Sequence, residues 1–170
     1  MLPPTRSALR FSLYFIGALA LLTLFFELAQ NFLTTAFMYP VSWAATNLLN
    51  TLGIAAELDS SPLDSGFCDL ILDGIIYRII HECTGIFALL VFLGLVSAYP
   101  TSAYHKVQGM LLGLPAFYLY SCLRLVILGI VAHIEPSLVE LFHLYMMVLI
   151  NLGFLLFVWI YWLEKVVRRD

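Results

Sequence analysis

Four long apolar runs, at 11–28, 84–99, 107–133 and 143–163, alternate with shorter polar stretches along the chain. About 20 apolar residues carry a helix across the hydrocarbon core of a bilayer. The helix is also a form that satisfies its own backbone there. Four transmembrane helices are therefore predicted, the second being the shortest and drawing on flanking residues. A further stretch at 32–54, "FLTTAFMYPVSWAATNLLNTLGI", is almost long enough to cross. It contains Pro40 and carries Thr34, Thr35, Ser42, Thr46, Asn47, Asn50 and Thr51. That mixture predicts an amphipathic helix lying in the outer interface, with a fifth span as the rival reading. Beyond it, "FCDLILDGIIYRII" reads as two short strands around Asp73-Gly74, a pair suited to a type I′ hairpin turn. In that register Leu72 faces Ile75, Leu70 faces Tyr77, and Asp69 faces Arg78 as a cross-strand ion pair.

Composition strengthens the membrane assignment. Of 170 residues, 62% are hydrophobic and 11% charged, where a soluble domain carries roughly a quarter charged residues. The expected fold class is an all-α integral membrane protein: about four transmembrane helices, an outer-face amphipathic helix and a short β-hairpin. No internal repeat, linker or low-complexity tract divides the chain, so residues 1–170 are expected to form one membrane-embedded domain. The first apolar run follows Arg6 and Arg10 as a signal peptide would. Its apolar core is longer than the usual 7–15 residues and no small-x-small cleavage site follows, so a retained signal anchor is expected. Arg6, Arg10, Lys106, Lys165, Arg168 and Arg169 fall on one side of a four-span chain, and most acids on the other. By the positive-inside rule, both termini are expected in the cytoplasm. The protein is then a multi-pass cytoplasmic (inner) membrane protein.

Three reactive side chains meet at one depth. Arg124 lies 18 positions beyond Lys106, about 27 Å at 1.5 Å per residue, near the far edge of a roughly 30 Å core. Cys83 and His143 reach that level because the second and fourth spans begin there. Taken singly, Cys83 is a small packing residue and His143 an interfacial polar group. Arg124 is harder to dismiss, since a charge within a span costs several kcal/mol unless it snorkels or pairs.

Together they make coherent chemistry. A thiol with a pKa near 8.5 becomes a nucleophile when a helix N-terminus and nearby cations stabilise its thiolate. Arg124, or the backbone N–H groups of Thr84 and Gly85 in the first turn, can hold the oxyanion formed when Cys83 attacks a carbonyl. His143 can protonate a departing amine and then activate an acceptor. His81 and Glu82 are orienting groups or plain interfacial polar residues. Cys68 faces Ile79, which disfavours a Cys68–Cys83 bridge, and Cys122 is a packing residue. His133 is expected to cap the third span, His105 to lie on the cytoplasmic side, and Gly113-Leu114-Pro115 to kink the helix. No metal-ligand spacing or cofactor motif is present, so neither is expected. On chemistry alone, a non-catalytic membrane scaffold or a transporter subunit stands as the alternative.

"ECTGIFALLVFLGLV", "SCLRLVIL" and "HLYMMVLINLGF" resemble the exosortase/archaeosortase family of membrane-embedded transpeptidases, over residues 48–157. The compact form resembles exosortase H or an archaeosortase. The family's Cys–Arg–His set corresponds to Cys83, Arg124 and His143. Thr84 stands where the family commonly has serine, next to Gly85, and Ser121 where it often has asparagine. The resemblance implies an enzyme that cuts C-terminal sorting signals of exported proteins on the outer (periplasmic or extracellular) face. Such a signal is a short motif, a transmembrane helix and a basic cluster. A thioester at Cys83 would pass the new carboxyl end to an acceptor such as a lipid or glycan, or to water. No nucleic-acid partner is implied.

Overall fold

The structure is a computed structural model and describes residues 4–168. Arg169, counted above among the inside charges, lies outside the described residues. Helix α1 (Pro4–Leu28) leads into a short helix α2 (Gln30–Leu33), a π turn (Thr34–Met38) and α3 (Tyr39–Thr51). Strand β1 (Ala56–Asp59), a 3-10 turn (Ser61–Ser65), β2 (Cys68–Leu72) and β3 (Ile75–Ile79) follow. A 3-10 turn (His81–Thr84) opens into α4 (Ile86–Ala98), and α5 (Ala103–Ile134) comes next. The last helical stretch comprises a 3-10 turn (Pro136–Leu138), α6 (Val139–Leu141) and a π turn (Phe142–Met146). It continues as α7 (Met147–Trp162) and ends in a π turn (Leu163–Val167).

Among the described residues, three helices are long and apolar enough to cross a membrane: Ala8–Leu28, Ala103–Ile134 and Pro136–Val167. Helix α4 is apolar but has 13 residues, about 20 Å at 1.5 Å per residue. The expected second span is thus the shortest of the four and falls below the length of the other three. It starts at Ile86, because Thr84 is held in the preceding 3-10 turn. The fourth starts at Pro136, so His143 lies inside that helix and not at its mouth.

Residues 30–51 are helical where the sequence predicts an amphipathic helix over 32–54. Val41, Ser42, Ala45, Thr46 and Leu49 make its buried stripe, while Trp43, Asn47 and Asn50 stay exposed. The hairpin register is as predicted, with Leu72 opposite Ile75, Leu70 opposite Tyr77 and Asp69 opposite Arg78. Asp73 and Gly74 both have positive φ (50° and 80°), the backbone a type I′ turn requires. Arg78 Nε reaches Asp69 Oδ1 at 3.2 Å, and His133 Nδ1 ties the turn to the end of α5 through Asp73 Oδ2 at 2.6 Å. The sequence reading missed β1, which pairs antiparallel with β2 and makes a three-stranded sheet. Its four residues, "AELD", alternate apolar and polar over the shortest length that can signal a strand, and three of them, Ala56, Glu57 and Asp59, are poor strand formers.

Helix α5 joins two cores. Toward the sheet, its Cys122, Leu125, Val126 and Ala132 pack with Val41, Ala45 and Leu49 of α3 and with the buried sheet face of Cys68, Leu70, Leu72 and Ile79. At its other half, Phe117 and Tyr120 pack with Phe92 and Val96 of α4 and with Leu155, Val158 and Trp162 of α7. α5 runs on through Pro115. Gly113 serves a packing role here: a Cβ on it would overlap the ring of Phe92, which is fully buried. Gly113→Ala is therefore expected to destabilise the protein by about 1–3 kcal/mol through overpacking. Gly153→Ala, where a Cβ meets nothing within 4 Å, is expected to be neutral or stabilising because alanine favours helix. Thermal unfolding of the two variants in detergent checks the contrast.

Candidate active site

β3 delivers the chain to the site through a turn that leaves little freedom. The Thr84 hydroxyl donates to the His81 carbonyl at 2.7 Å, and the Cys83 N–H donates to the Ile80 carbonyl at 3.0 Å. Gly85 then takes a left-handed conformation (φ 73°) before α4 begins, which strains any residue with a Cβ. Cys83 is left half-buried, its Sγ 3.8 Å from His143 Nε2. Arg124 enters from α5 and is buried, only 6% exposed. Its Nη1 lies 3.5 Å from where a Gly85 Cβ would stand. The three residues singled out by depth thus come together around the start of α4.

The supporting residues divide. Glu82 and Gly85 line a cavity of about 210 Å³ with Arg124, His143 and Asn151. The Gly85 N–H, expected to be an unpaired donor, reaches the Glu82 carbonyl at 3.5 Å. Thr84 is fully buried and closes its own turn. Ser121 is buried and donates to the Phe117 carbonyl at 2.7 Å, within its own helix. His81 is buried beside Phe26 and faces the Thr34 hydroxyl through Nε2 at 3.0 Å. That hydroxyl donates to the Gln30 carbonyl at 2.9 Å, so its oxygen accepts from Nε2–H, leaving Nδ1 unprotonated. His81 therefore anchors the turn to the π turn after α2. Cys68 Sγ donates to Ser42 Oγ at 3.4 Å, and Cys68, Cys83 and Cys122 are all free thiols.

Two further polar groups escaped the sequence reading. Asn151 Oδ1 and the Tyr120 ring lie 3.6 Å from the Gly85 Cβ position. Asn151 Oδ1, the Tyr120 hydroxyl and Arg124 Nε are all buried with no hydrogen-bond partner among the described residues. Leaving such groups unpaired costs about 1–3 kcal/mol each, more for a charged one. A lone amide inside the apolar run "MMVLINLGFLLFVW" was the signal for Asn151, since polar residues within a span are costly and mark function by default.

Electrostatics sets two tendencies against each other at Cys83. Burial pushes the thiol above its ordinary pKa; backbone hydrogen bonding at Ile80 and the charge of Arg124 pull it down, and Glu82 adds to the rise. Burial lowers the pKa of His81, consistent with a neutral anchor. A thiol within reach of an imidazole nitrogen, beside an arginine that has no acidic partner among the described residues, can form a thiolate and hold a developing oxyanion.

The family model for transmembrane exosortases matches residues 5–163. No curated protein and no solved structure matches the chain.

Because Arg124 opposes the effect of burial on Cys83, removing its charge leaves the thiol pKa higher and less thiolate at neutral pH. Arg124→Met is expected to slow alkylation of Cys83 roughly three- to tenfold near neutral pH, with the rates converging once pH exceeds both pKa values. Asn151→Asp, which sets a carboxylate beside the guanidinium, is expected to slow it as well, whereas Asn151→Ala is not. Mass-spectrometric alkylation rates across pH check this; rates unchanged in Arg124→Met refute it.

Proposed function

Because the chain belongs to the transmembrane exosortase family, we propose that it is a cysteine transpeptidase or protease working through a thioester at Cys83. In the general sense it is a membrane-embedded, sorting-related enzyme. The observation that carries the finer reading is the 3.8 Å approach of Cys83 Sγ to His143 Nε2 beside buried Arg124.

In this mechanism His143 Nε2 takes the thiol proton, and the thiolate attacks the scissile carbonyl carbon. Arg124 holds the resulting oxyanion. As the tetrahedral intermediate collapses, the C–N bond breaks and imidazolium His143 gives its proton to the leaving amine. The thioester keeps acyl-transfer potential until an acceptor arrives. The acceptor nucleophile then loses a proton to His143, attacks the thioester, and releases Cys83, which regains that proton. Water in the same position gives hydrolysis.

The substrates of this reading are exported proteins with a C-terminal motif, transmembrane helix and basic cluster, and the acceptor is a lipid or glycan. The site belongs on the periplasmic or extracellular side of the cytoplasmic membrane, with both termini inside. A scissile bond just outside a substrate's own membrane helix would arrive at the depth of Cys83. A non-catalytic scaffold would be expected to pair its buried polar groups with one another. Three such groups around Gly85 have no partner among the described residues, which favours a site built around a bound group.

The test is co-expression with a protein carrying a C-terminal helix and basic tail, followed by intact mass. Wild type is expected to trim the tail, and Cys83→Ala and Cys83→Ser to abolish trimming while still inserting in the membrane. The mass added to the product identifies the acceptor. Trimming that persists in a correctly inserted Cys83→Ala overturns the thioester mechanism.

A further inference from the structure

Strand β3 has β2 on one side and no strand on the other. Leu72 and Ile75 flank the two-residue turn, and in such hairpins the flanking pair exchanges both of its hydrogen bonds. Counting along the register, Leu70–Tyr77 and Cys68–Ile79 are hydrogen-bonded pairs too. The backbone N–H and C=O groups of Ile76 and Arg78 then point away from β2. Among the described residues nothing pairs with them.

A cavity of about 380 Å³ lies between the inner face of the sheet, at Leu70 and Leu72 of β2, and Leu125, Gly129 and Ala132 of α5, and reaches this edge. Tyr77 and Ile79, from one face of the strand, line it, and so do Ile76 and Arg78 from the other. Residues of both faces share a cavity only where it follows the strand's edge. Val139 and Glu140 line it from the segment after α5, and Cys83 and His143 belong to the same lining. Ile75, Ile76 and Ile80 are 45%, 63% and 40% exposed. Proteins usually blunt such an edge with charge or proline, because it invites another strand.

We propose that the free edge of β3 is a peptide-binding site, where an extended segment of the substrate protein adds as a fourth strand and is led to Cys83. This deepens the thioester reading and rests on it. Main-chain pairing supplies affinity, and the side chains on alternate positions supply selectivity. The 5 residues of β3 span about 16 Å at 3.3 Å each, enough to pair with a segment of similar length. Arg78 is held by Asp69 at 3.2 Å and lies 3.9 Å over the ring of Phe67. Glu140 is thus the unpaired charge of the slot among the described residues, and it disfavours acidic side chains in the occupant.

The probe is acetyl-Val-Ala-Val-Ala chloromethyl ketone, which alkylates a thiol with loss of chloride. Chloroacetone carries the same reactive group without a peptide backbone. With the full-length wild-type protein in detergent, the peptide reagent is expected to alkylate Cys83 at least tenfold faster than chloroacetone. N-methylation of the peptide is expected to cancel that gain at every second residue and to spare the residues between. Ile76→Pro deletes one outward N–H, which an edge strand tolerates. It is expected to slow the peptide reagent roughly tenfold, the loss of about one hydrogen bond, and to leave chloroacetone unaffected. No peptide advantage, or a loss without alternation, overturns the proposal. So does a change of oligomeric state in Ile76→Pro without a change in peptide rate, since the edge then serves a second copy of the chain. Normal chloroacetone reactivity alongside any of these results leaves the thioester reading standing.

Discussion

Within a bilayer, apolar side chains gain nothing by leaving lipid for protein, so helices associate through close contact of their surfaces. In this protein that contact concentrates on the glycines of α5. A Cβ at Gly109 would stand 2.7 Å from Trp162 Nε1, one at Gly129 would stand 2.6 Å from Leu49 Cδ1, and one at Gly113 would overlap Phe92. Three partners, from α7, α3 and α4, thus seat directly on one backbone. α5 cannot slide or rotate without losing all three contacts, and Arg124 lies between the second and the third. The position of a buried cation is therefore fixed by van der Waals packing and not by an acidic partner.

That arrangement gives Arg124 its electrostatic value. A carboxylate beside it would lower the cost of burial and cancel the charge. Neutral neighbours, Asn151 and Tyr120, leave the charge available to Cys83. The thiol is less acidic for being buried, so the cation and the imidazole 3.8 Å away have to work against desolvation. The left-handed Gly85 allows this crowding, because a side chain there would meet Arg124, Asn151 and Tyr120 at once.

Much of this was legible in the sequence. Apolar run lengths predicted the long helices, of which three are long enough to cross a membrane and α4 is shorter, and Asp73-Gly74 predicted the hairpin and its register. Cys83 and His143 do approach each other, although the last helical stretch begins at Pro136 and not at His143. What stayed hidden depends on local winding or on non-local pairing. Eight residues of α-helix place His143 and Asn151 about 80° apart around the axis. The π turn Phe142–Met146, wider than an α turn, takes back much of that angle, and both residues line one cavity. No residue pattern announces a π turn. Strand β1 exists because β2 offers it an edge, which four residues of its own cannot reveal. Ser121 is a site candidate only through the family resemblance, and its hydroxyl donates to the carbonyl one turn back in its own helix.

The tryptophans make the two ends of this architecture optically distinct. Trp162 is fully buried, donates Nε1–H to the His105 carbonyl at 3.0 Å, and packs edge-on against Tyr99. Trp43, on the exposed face of α3, is 56% exposed. Trp159 packs against Trp162 with ring centroids 5.1 Å apart. Indole emission shifts to the red as its surroundings become more polar, so this pair and the exposed Trp43 contribute separable signals to the intrinsic fluorescence. Loss of the seat of α7 on Gly109 would move the buried component, and a change of the surroundings of α3 would move the exposed one. The chain thus carries a built-in, label-free report on which half of α5 has lost its partner.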